Sequence, residues 1–374
     1  MTRPTRAVVD LDAIAANFAL LGARAGRAEV IPVVKANAYG HGAVAVARRL
    51  SREGARRFAV ALAEEGVELR EAGIGEEILL LSSGDPGALG ELLARRLTPT
   101  VHDVLQAREL AAAAGSLPRP IGVHLKVDTG MGRLGVPPRD LAEVIGILRA
   151  APGLRLAGTF TQFASATDPA SAATEAQLRV FAAALSALRD GGLEPGLIHA
   201  SNSAGILAFP GAAFAAVRPG IALYGVAPIG NGPDPAASSD PILREALTLE
   251  TRVLAVKTVP AGTPLGYGGA FVTNRTTAVA SLPIGYHDGL RRSFSGRVSV
   301  LLRGGQAPVV GAVSMDVTLV DVTDSGGRPG DRVVVLGREG DHHVSAWDLA
   351  RAADTIPYEI LCGIGARVPR VHVP

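Results

Sequence analysis

Glu29-Val30-Ile31-Pro32-Val33-Val34-Lys35-Ala36-Asn37-Ala38-Tyr39-Gly40-His41-Gly42 is followed by the Ala/Arg-rich run from Ala43 to Ser51. The stretch reads as a strand, a turn and a helix. The β-branched run suits a buried strand, and the Gly/Asn-rich segment breaks it. From Ala43 to Ser51 the apolar residues recur every three or four positions beside arginines, as on a helix that covers a sheet. The same alternation recurs along the first two thirds of the chain. Short β-prone runs lie near residues 29–34, 57–62, 77–82, 97–101, 121–127, 154–160, 197–200 and 215–218. Helical patterns such as Ala63 to Ala72 and Glu175 to Asp190 separate them. Eight strand–helix units favour a (β/α)8 TIM-type barrel, although a doubly wound open sheet shares the alternation.

Around Val226 to Glu245 the rhythm stops at Gly230-Asn231-Gly232-Pro233-Asp234-Pro235 and Ser238-Ser239-Asp240-Pro241. A domain boundary there gives residues 1–235 as the barrel and 236–374 as a second domain. Beyond it, runs such as Thr248 to Val259, Thr276 to Leu282, Arg297 to Leu302, Val309 to Val313, Thr318 to Val322 and Arg332 to Leu336 alternate with Gly/Pro turns, which predicts a mostly-β domain. Only Ser345 to Asp354, opened by Ser345 as N-cap, reads as helix.

The composition excludes several function classes. Thirty-seven basic and 35 acidic residues are spread along the chain, so no basic stripe points to nucleic acid or a membrane surface. No run approaches the roughly 20 apolar residues of a bilayer span, and the start lacks a signal peptide's apolar core. A soluble, cytoplasmic protein is expected. Cys362 is the single cysteine, which rules out an internal disulfide and suggests a buried thiol; no metal site is expected.

Only three of the basic residues are lysines. Lys35 sits at the C-terminal mouth of the first strand, where an amine can act as a nucleophile toward a carbonyl compound and arginine cannot, although a surface lysine closing a strand reads the same. In a barrel, chemistry belongs on that rim. Lys126 to Arg133 follow strand five, Gln162 follows strand six, His199 to Ser203 end strand seven, and Arg218-Pro219-Gly220 ends strand eight. The loops after strands seven and eight commonly hold phosphate, and Ser203 and Gly220-Ile221 suit that task.

The decapeptide Val33 to Gly42 resembles the pyridoxal phosphate lysine motif of alanine racemases. His124 to Gly135, containing Lys126-Val127-Asp128-Thr129-Gly130-Met131-Gly132-Arg133, is a second strong match. His199 to Ala204, Val217 to Gly225, Gly266-Tyr267-Gly268-Gly269, Pro283 to Gly289, Ser314-Met315-Asp316 and Arg367-Val368-Pro369-Arg370 extend the resemblance over the whole chain. It implies a pyridoxal phosphate-dependent isomerase that interconverts L- and D-alanine and supplies the D-enantiomer for cell-wall peptidoglycan.

The resemblance also implies roles. Lys35 carries the cofactor; Tyr39, Asn202, Ser203, Gly220, Ile221 and Tyr358 contact its phosphate; Arg133, Gln162, His199 and Arg218 complete the binding set. Arg218 faces the ring nitrogen, and a fixed guanidinium there discourages ring protonation, which keeps the ring a weak electron sink and favours racemisation over transamination. Arg133 and Met315 hold the substrate carboxylate. Lys126 matches a position often carbamylated in the family. Racemisation needs an acid/base group on each face of Cα, and Lys35 and Tyr267 are implied as the pair. A free amine and a free phenol both titrate near about 10, so each needs cationic or desolvating neighbours to work at neutral pH. Tyr267 and Met315 are implied to reach the partner's site in a homodimer.

The chain departs from the family pattern at three places. Gln162 stands where histidine is usual, Ala312 where arginine is usual, and Thr167 where an acid is usual. Loss of a charged gate suggests a wider entrance and turnover of serine or a larger amino acid. A non-catalytic pyridoxal phosphate carrier would lack the second domain and Tyr267. A barrel-plus-β decarboxylase would need an acidic partner for the ring nitrogen, where this chain has Arg218.

Overall fold

The computed structural model describes residues 3–82, 89–115, 117–228 and 243–374. The boundary expected at 235/236 lies outside the described residues. All eight expected barrel strands form. They are β2 (Glu29–Val30), β3 (Arg57–Val60), β4 (Glu77–Leu80), β5 (Leu97–Thr98) with β6 (Thr100–Val101), β7 (Ile121–Lys126), β8 (Leu154–Phe160), β9 (Leu197–Asn202) and β10 (Ala216–Arg218). Pro99 lacks an N–H and splits one strand into β5 and β6.

Closure separates a barrel from an open sheet, and the register supplies it. The last strand pairs with the first: β10 lies parallel to β2, with Ala216 opposite Glu29 and Val217 opposite Val30. The other seam is a parallel bridge between Val33 and Ala59. Residues on the strands and at their ends, such as Val34, Ala59, Leu79 and Leu125, are buried, and in a barrel the chemistry belongs on the rim.

The second domain is a ten-stranded sheet ordered β12-β15-β18-β17-β16-β19-β11-β1-β21, with β20 paired to β19. Here β1 is Arg6–Asp10, β11 Leu247–Arg252, β12 Ala255–Val259, β15 Thr277–Leu282, β16 Ser299–Leu302, β17 Gly305–Val310, β18 Thr318–Asp321, β19 Arg332–Glu339, β20 His342–Val344 and β21 Arg370–Val373, while β13 (Pro264–Leu265) and β14 (Phe271–Val272) form a separate antiparallel pair. Each expected run overlaps strands of the ten-stranded sheet, although Val309 to Val313 does so only at Val309 and Val310 and Thr248 to Val259 is broken between β11 and β12. Helix Ala346–Ala352 forms as expected, and Ser345 accepts from the Asp348 N–H at 3.1 Å.

Assigning residues 1–235 wholly to the barrel needs correction. β1 pairs antiparallel with β11 and parallel with β21, so it belongs to the second domain's sheet. An alternating segment reads the same whichever sheet completes its ladder, and only the long-range partner decides. Asn17, on the helix Leu11–Ala25, holds the returning chain against the barrel: its amide donates to the Leu223 and Arg244 carbonyls and its oxygen accepts from the Arg244 N–H. Among the described residues, no helix is long and apolar enough to cross a membrane.

Candidate active site

A cavity of about 760 Å³ opens at the C-terminal ends of the barrel strands. Lys35 lines it at the start of an unusual turn. Ala36, Asn37, Ala38 and Tyr39 all have φ between 52° and 54°, a left-handed turn that costs L-residues about 1–2 kcal/mol each. Tertiary contacts hold it. Asn37 Oδ1 accepts from the Ala43 N–H, the buried His41 bonds through Nδ1 to the Ala38 and Tyr39 carbonyls, and Arg370 Nε donates to Gly40 O. The glycines of this motif are steric requirements: a Cβ on Gly40 would lie 2.5 Å from Leu361 O, and one on Gly42 2.6 Å from His372 Nε2. Burial lowers the Lys35 amine, with Arg133 and Arg218 acting in the same direction and Glu65 and Cys362 opposing.

Arg218, only 2% exposed, has no carboxylate among its described hydrogen-bond partners. It donates to Thr161 O at 2.7 Å, Ala200 O at 3.1 Å and Gln162 Oε1 at 3.3 Å, and it meets His199 Nδ1 at 2.6 Å. Burial pushes it down to about 9, so it stays a cation at neutral pH. Its central carbon lies 5.0 Å from the centre of the Phe160 ring, a contact that favours a fixed guanidinium over a wandering one.

The contact with Arg218 sets the histidine tautomers. Nδ1 of His199 accepts, so Nε2 carries the proton and donates to His124 Nδ1 at 2.9 Å. Burial first, then Arg218, holds His199 well below the imidazole range; burial, then Arg57 and Arg218, pushes His124 down to about 3. Burial also pushes His41 down to about 4. Each of these imidazoles takes up a proton more readily unfolded than folded, so its contribution is complete above the unfolded value near about 6.5 and is lost as pH falls toward the folded value. From pH 7 to pH 5, denaturant titrations are expected to show stability falling slowly at first and more steeply below about 6.5, by on the order of 1 kcal/mol per pH unit for each histidine while the fold persists. A flat profile over that range would contradict the neutral chain.

Loops after β9 and β10 meet beside Tyr39. Ser203 Oγ accepts from the Gly220 N–H at 2.9 Å and the Ala222 N–H at 3.2 Å. A Cβ on Gly220 would lie 2.4 Å from Tyr39 Oη, so only glycine leaves this corner open. Burial raises the phenols of Tyr39 and Tyr358, the latter to about 12, so both remain neutral donors. Across the cavity, Asp128 accepts from the Gly130, Met131 and Gly132 N–H groups and folds the loop that carries Arg133 to the rim. Lys126, buried under this loop, is pushed down to about 8 by burial and then by Arg133 and Arg218.

The family model described as "Alanine racemase, N-terminal domain" matches residues 9–228, and "Alanine racemase, C-terminal domain" matches residues 246–372. The chain belongs to the alanine racemase family. A relative from Carboxydothermus hydrogenoformans called alanine racemase is 42% identical over 99% of this chain and 100% of its own length. The alanine racemase from D-cycloserine-producing Streptomyces lavendulae superposes with a TM-score of 0.93 at 38% identity, covering 100% of this chain and 98% of that one. The alanine racemase from Bartonella henselae, solved with covalently bound pyridoxal phosphate, gives 0.89 at 31% identity over 99% of each chain. The donor set here fits such a group: an amine of lowered basicity, a guanidinium with no carboxylate among its described partners and a glycine corner without Cβ line one cavity.

In this alanine racemase-family chain, Lys35, Tyr39, Lys126, Arg133, Gln162, Asn202, Ser203, Arg218, Gly220, Ile221 and Tyr358, all singled out from the sequence, line that cavity. His199 is fully buried and does not line it, but meets two residues that do, Arg218 and Phe160. Asn202 Oδ1 is occupied by the Gly205 N–H. Tyr267 and Met315 stand apart: both lie on the β domain, 72% and 49% exposed, and neither lines the cavity around Lys35. Tyr267 borders a separate pocket with Ala312. The expected buried thiol is also corrected, because Cys362 is exposed and its residue faces the Lys35 cavity. It ends the short helix Pro357–Cys362, which composition alone did not suggest. The sequence reading missed Glu65 and His124, whose partners lie in distant strands and loops.

Proposed function

We propose that the chain interconverts L- and D-alanine on pyridoxal phosphate, with Lys35 of one subunit and Tyr267 of its partner as the two acid/base groups. The observation that carries this reading is the convergence of the Lys35 amine and the Arg218 guanidinium on one rim cavity. Pyridoxal phosphate, when bound, supplies the electron sink that makes the Cα hydrogen acidic. The chain's residues do the rest. Ser203, Gly220, Ile221, Asn202, Tyr39 and Tyr358 receive the phosphate. Arg133 and the partner's Met315 hold the substrate carboxylate and so fix the Cα plane between the two bases. Arg218, kept charged by carbonyl acceptors, discourages protonation of the ring nitrogen and favours racemisation. Gln162, bonded to Arg218 through its amide oxygen, cannot become cationic and leaves that nitrogen's environment to Arg218 alone.

Homodimerisation is supported by the exposure of Tyr267, Tyr286 and Met315. The buried Asp288, bonded to Arg3 and Arg367, anchors the loop bearing Tyr286, and Arg367 also donates to Met315 O. A cytoplasmic location and D-alanine supply to peptidoglycan go with the family reading. The test follows Cα hydrogen–deuterium exchange and chirality on purified protein with added cofactor. Exchange with inversion of alanine is expected, whereas cofactor binding without either would overturn the proposal.

A second reading is supported by the pocket of about 360 Å³ that Tyr267 and Ala312 border, where no charged side chain narrows the wall. It makes the enzyme a broader racemase, and comparable kcat/KM on serine in the same assay is its expected result.

Lys126 carries a further expectation. A buried amine titrating near about 8 is partly neutral at physiological pH and can add CO2, releasing a proton and forming a carbamate that would anchor Arg133. With 13C-bicarbonate, a carbamate resonance is expected in the unmodified protein and not in Lys126→Ala, with kcat/KM falling on the order of tenfold in the variant.

A further inference from the structure

The left-handed turn after Lys35 is tied down at its first residue by a side chain from a different β/α unit. Glu65 Oε1 accepts from the Ala36 N–H at 2.6 Å. Glu65 Oε2 accepts from the Ala61 N–H at 2.8 Å and the Leu62 N–H at 3.0 Å. One carboxylate thus joins the loop after β2 to the loop after β3, and all three donors are backbone amides. Glu65 lies in the first turn of the helix Ala63–Glu71, where its own backbone is fixed. The amide it holds belongs to the residue immediately after Lys35, the first in the turn with positive φ.

We propose that Glu65 is a positioning residue for Lys35, its carboxylate clamping the left-handed turn so that the amine stays aimed into the cavity. The clamp needs an acceptor at both ends. A carboxylate supplies it, whereas glutamine has one acceptor oxygen and would turn its NH2 toward an N–H on one of the two loops. Aspartate keeps the charge but is a methylene too short to span both loops. The charge also acts on the amine itself, opposing Arg133 and Arg218. This inference rests on the reading of Lys35 as the cofactor-bearing amine.

The test compares the full chain with Glu65→Gln and Glu65→Asp by two readouts. The first is hydrogen–deuterium exchange of peptides spanning residues 34–42. The second is the rate at which borohydride fixes added pyridoxal phosphate to the Lys35 peptide. Both variants are expected to exchange this segment and the Ala61 and Leu62 amides on the order of tenfold faster, with the remaining barrel peptides unchanged, and to label Lys35 several-fold more slowly. In turnover, kcat is expected to fall while KM for alanine changes little. Labelling of Lys35 with unchanged exchange and rate in Glu65→Gln, or Glu65→Asp behaving as the unmodified chain, would overturn the clamp. An unmodified chain that takes no label on Lys35 would instead overturn the reading on which it rests.

Discussion

Replacing Lys35 by arginine is expected to abolish racemisation, lowering kcat/KM by about 10³-fold or more, while the melting temperature stays within a few degrees. The charge survives the substitution, but the chemistry does not. A guanidinium stays protonated and can neither bond covalently to a carbonyl nor remove a proton near neutral pH. Lys35 instead has an amine whose basicity burial and Arg133 reduce, and it projects into a cavity rather than into solvent. Chirality measured from either enantiomer, together with the mass of the borohydride-treated protein, decides the matter: neither inversion nor covalent cofactor should be found. Residual activity within tenfold of the unmodified enzyme would remove Lys35 from its role.

Tyr267→Phe is expected to cost about 10²- to 10⁴-fold in racemisation, the usual range for a lost acid/base group. Its signature is asymmetric. With the phenol gone and Lys35 intact, Cα exchange with deuterated solvent should persist from one enantiomer and collapse from the other. The position of Tyr267 adds a second test. It is 72% exposed on a turn of the β domain and lies outside its own chain's Lys35 cavity. If it serves the partner's site, mixed dimers of Lys35→Arg and Tyr267→Phe contain one intact site and one doubly altered site. Mixing the two inactive proteins should then restore about one quarter of full activity, because half of the dimers are mixed and each has one of two sites working. No recovery after verified subunit exchange would place both groups in the same chain's site.

The strand–helix rhythm made the barrel legible because each strand carries its own local signal, and the eight expected runs all appear in the structure. The rim residues were legible for a related reason. Chemistry at strand ends follows from barrel geometry, so Lys35, Arg133 and Arg218 could be placed by counting strands. Cys362 was misread as buried, since a lone thiol in an apolar sequence gives no sign of the short helix that exposes it. Glu65 went unnoticed because a glutamate in the first turn of a helix usually serves only that helix, whereas here one oxygen reaches another loop.

By itself the sequence determined what is written in local periodicity and residue chemistry: the barrel units, the β-rich second part, the scarce lysines and the family motifs. Tertiary structure alone decided what depends on residues far apart in the chain. It closed the barrel by pairing β10 with β2, moved β1 into the second domain's sheet, and set the left-handed turn at Lys35 under the hold of Glu65 and Arg370. It also strung His124, His199 and Arg218 into one buried hydrogen-bonded chain. The physical reason is common to all four. Periodicity records which face of an element is buried, whereas a hydrogen-bond partner is chosen among all the donors and acceptors that folding brings within about 3 Å.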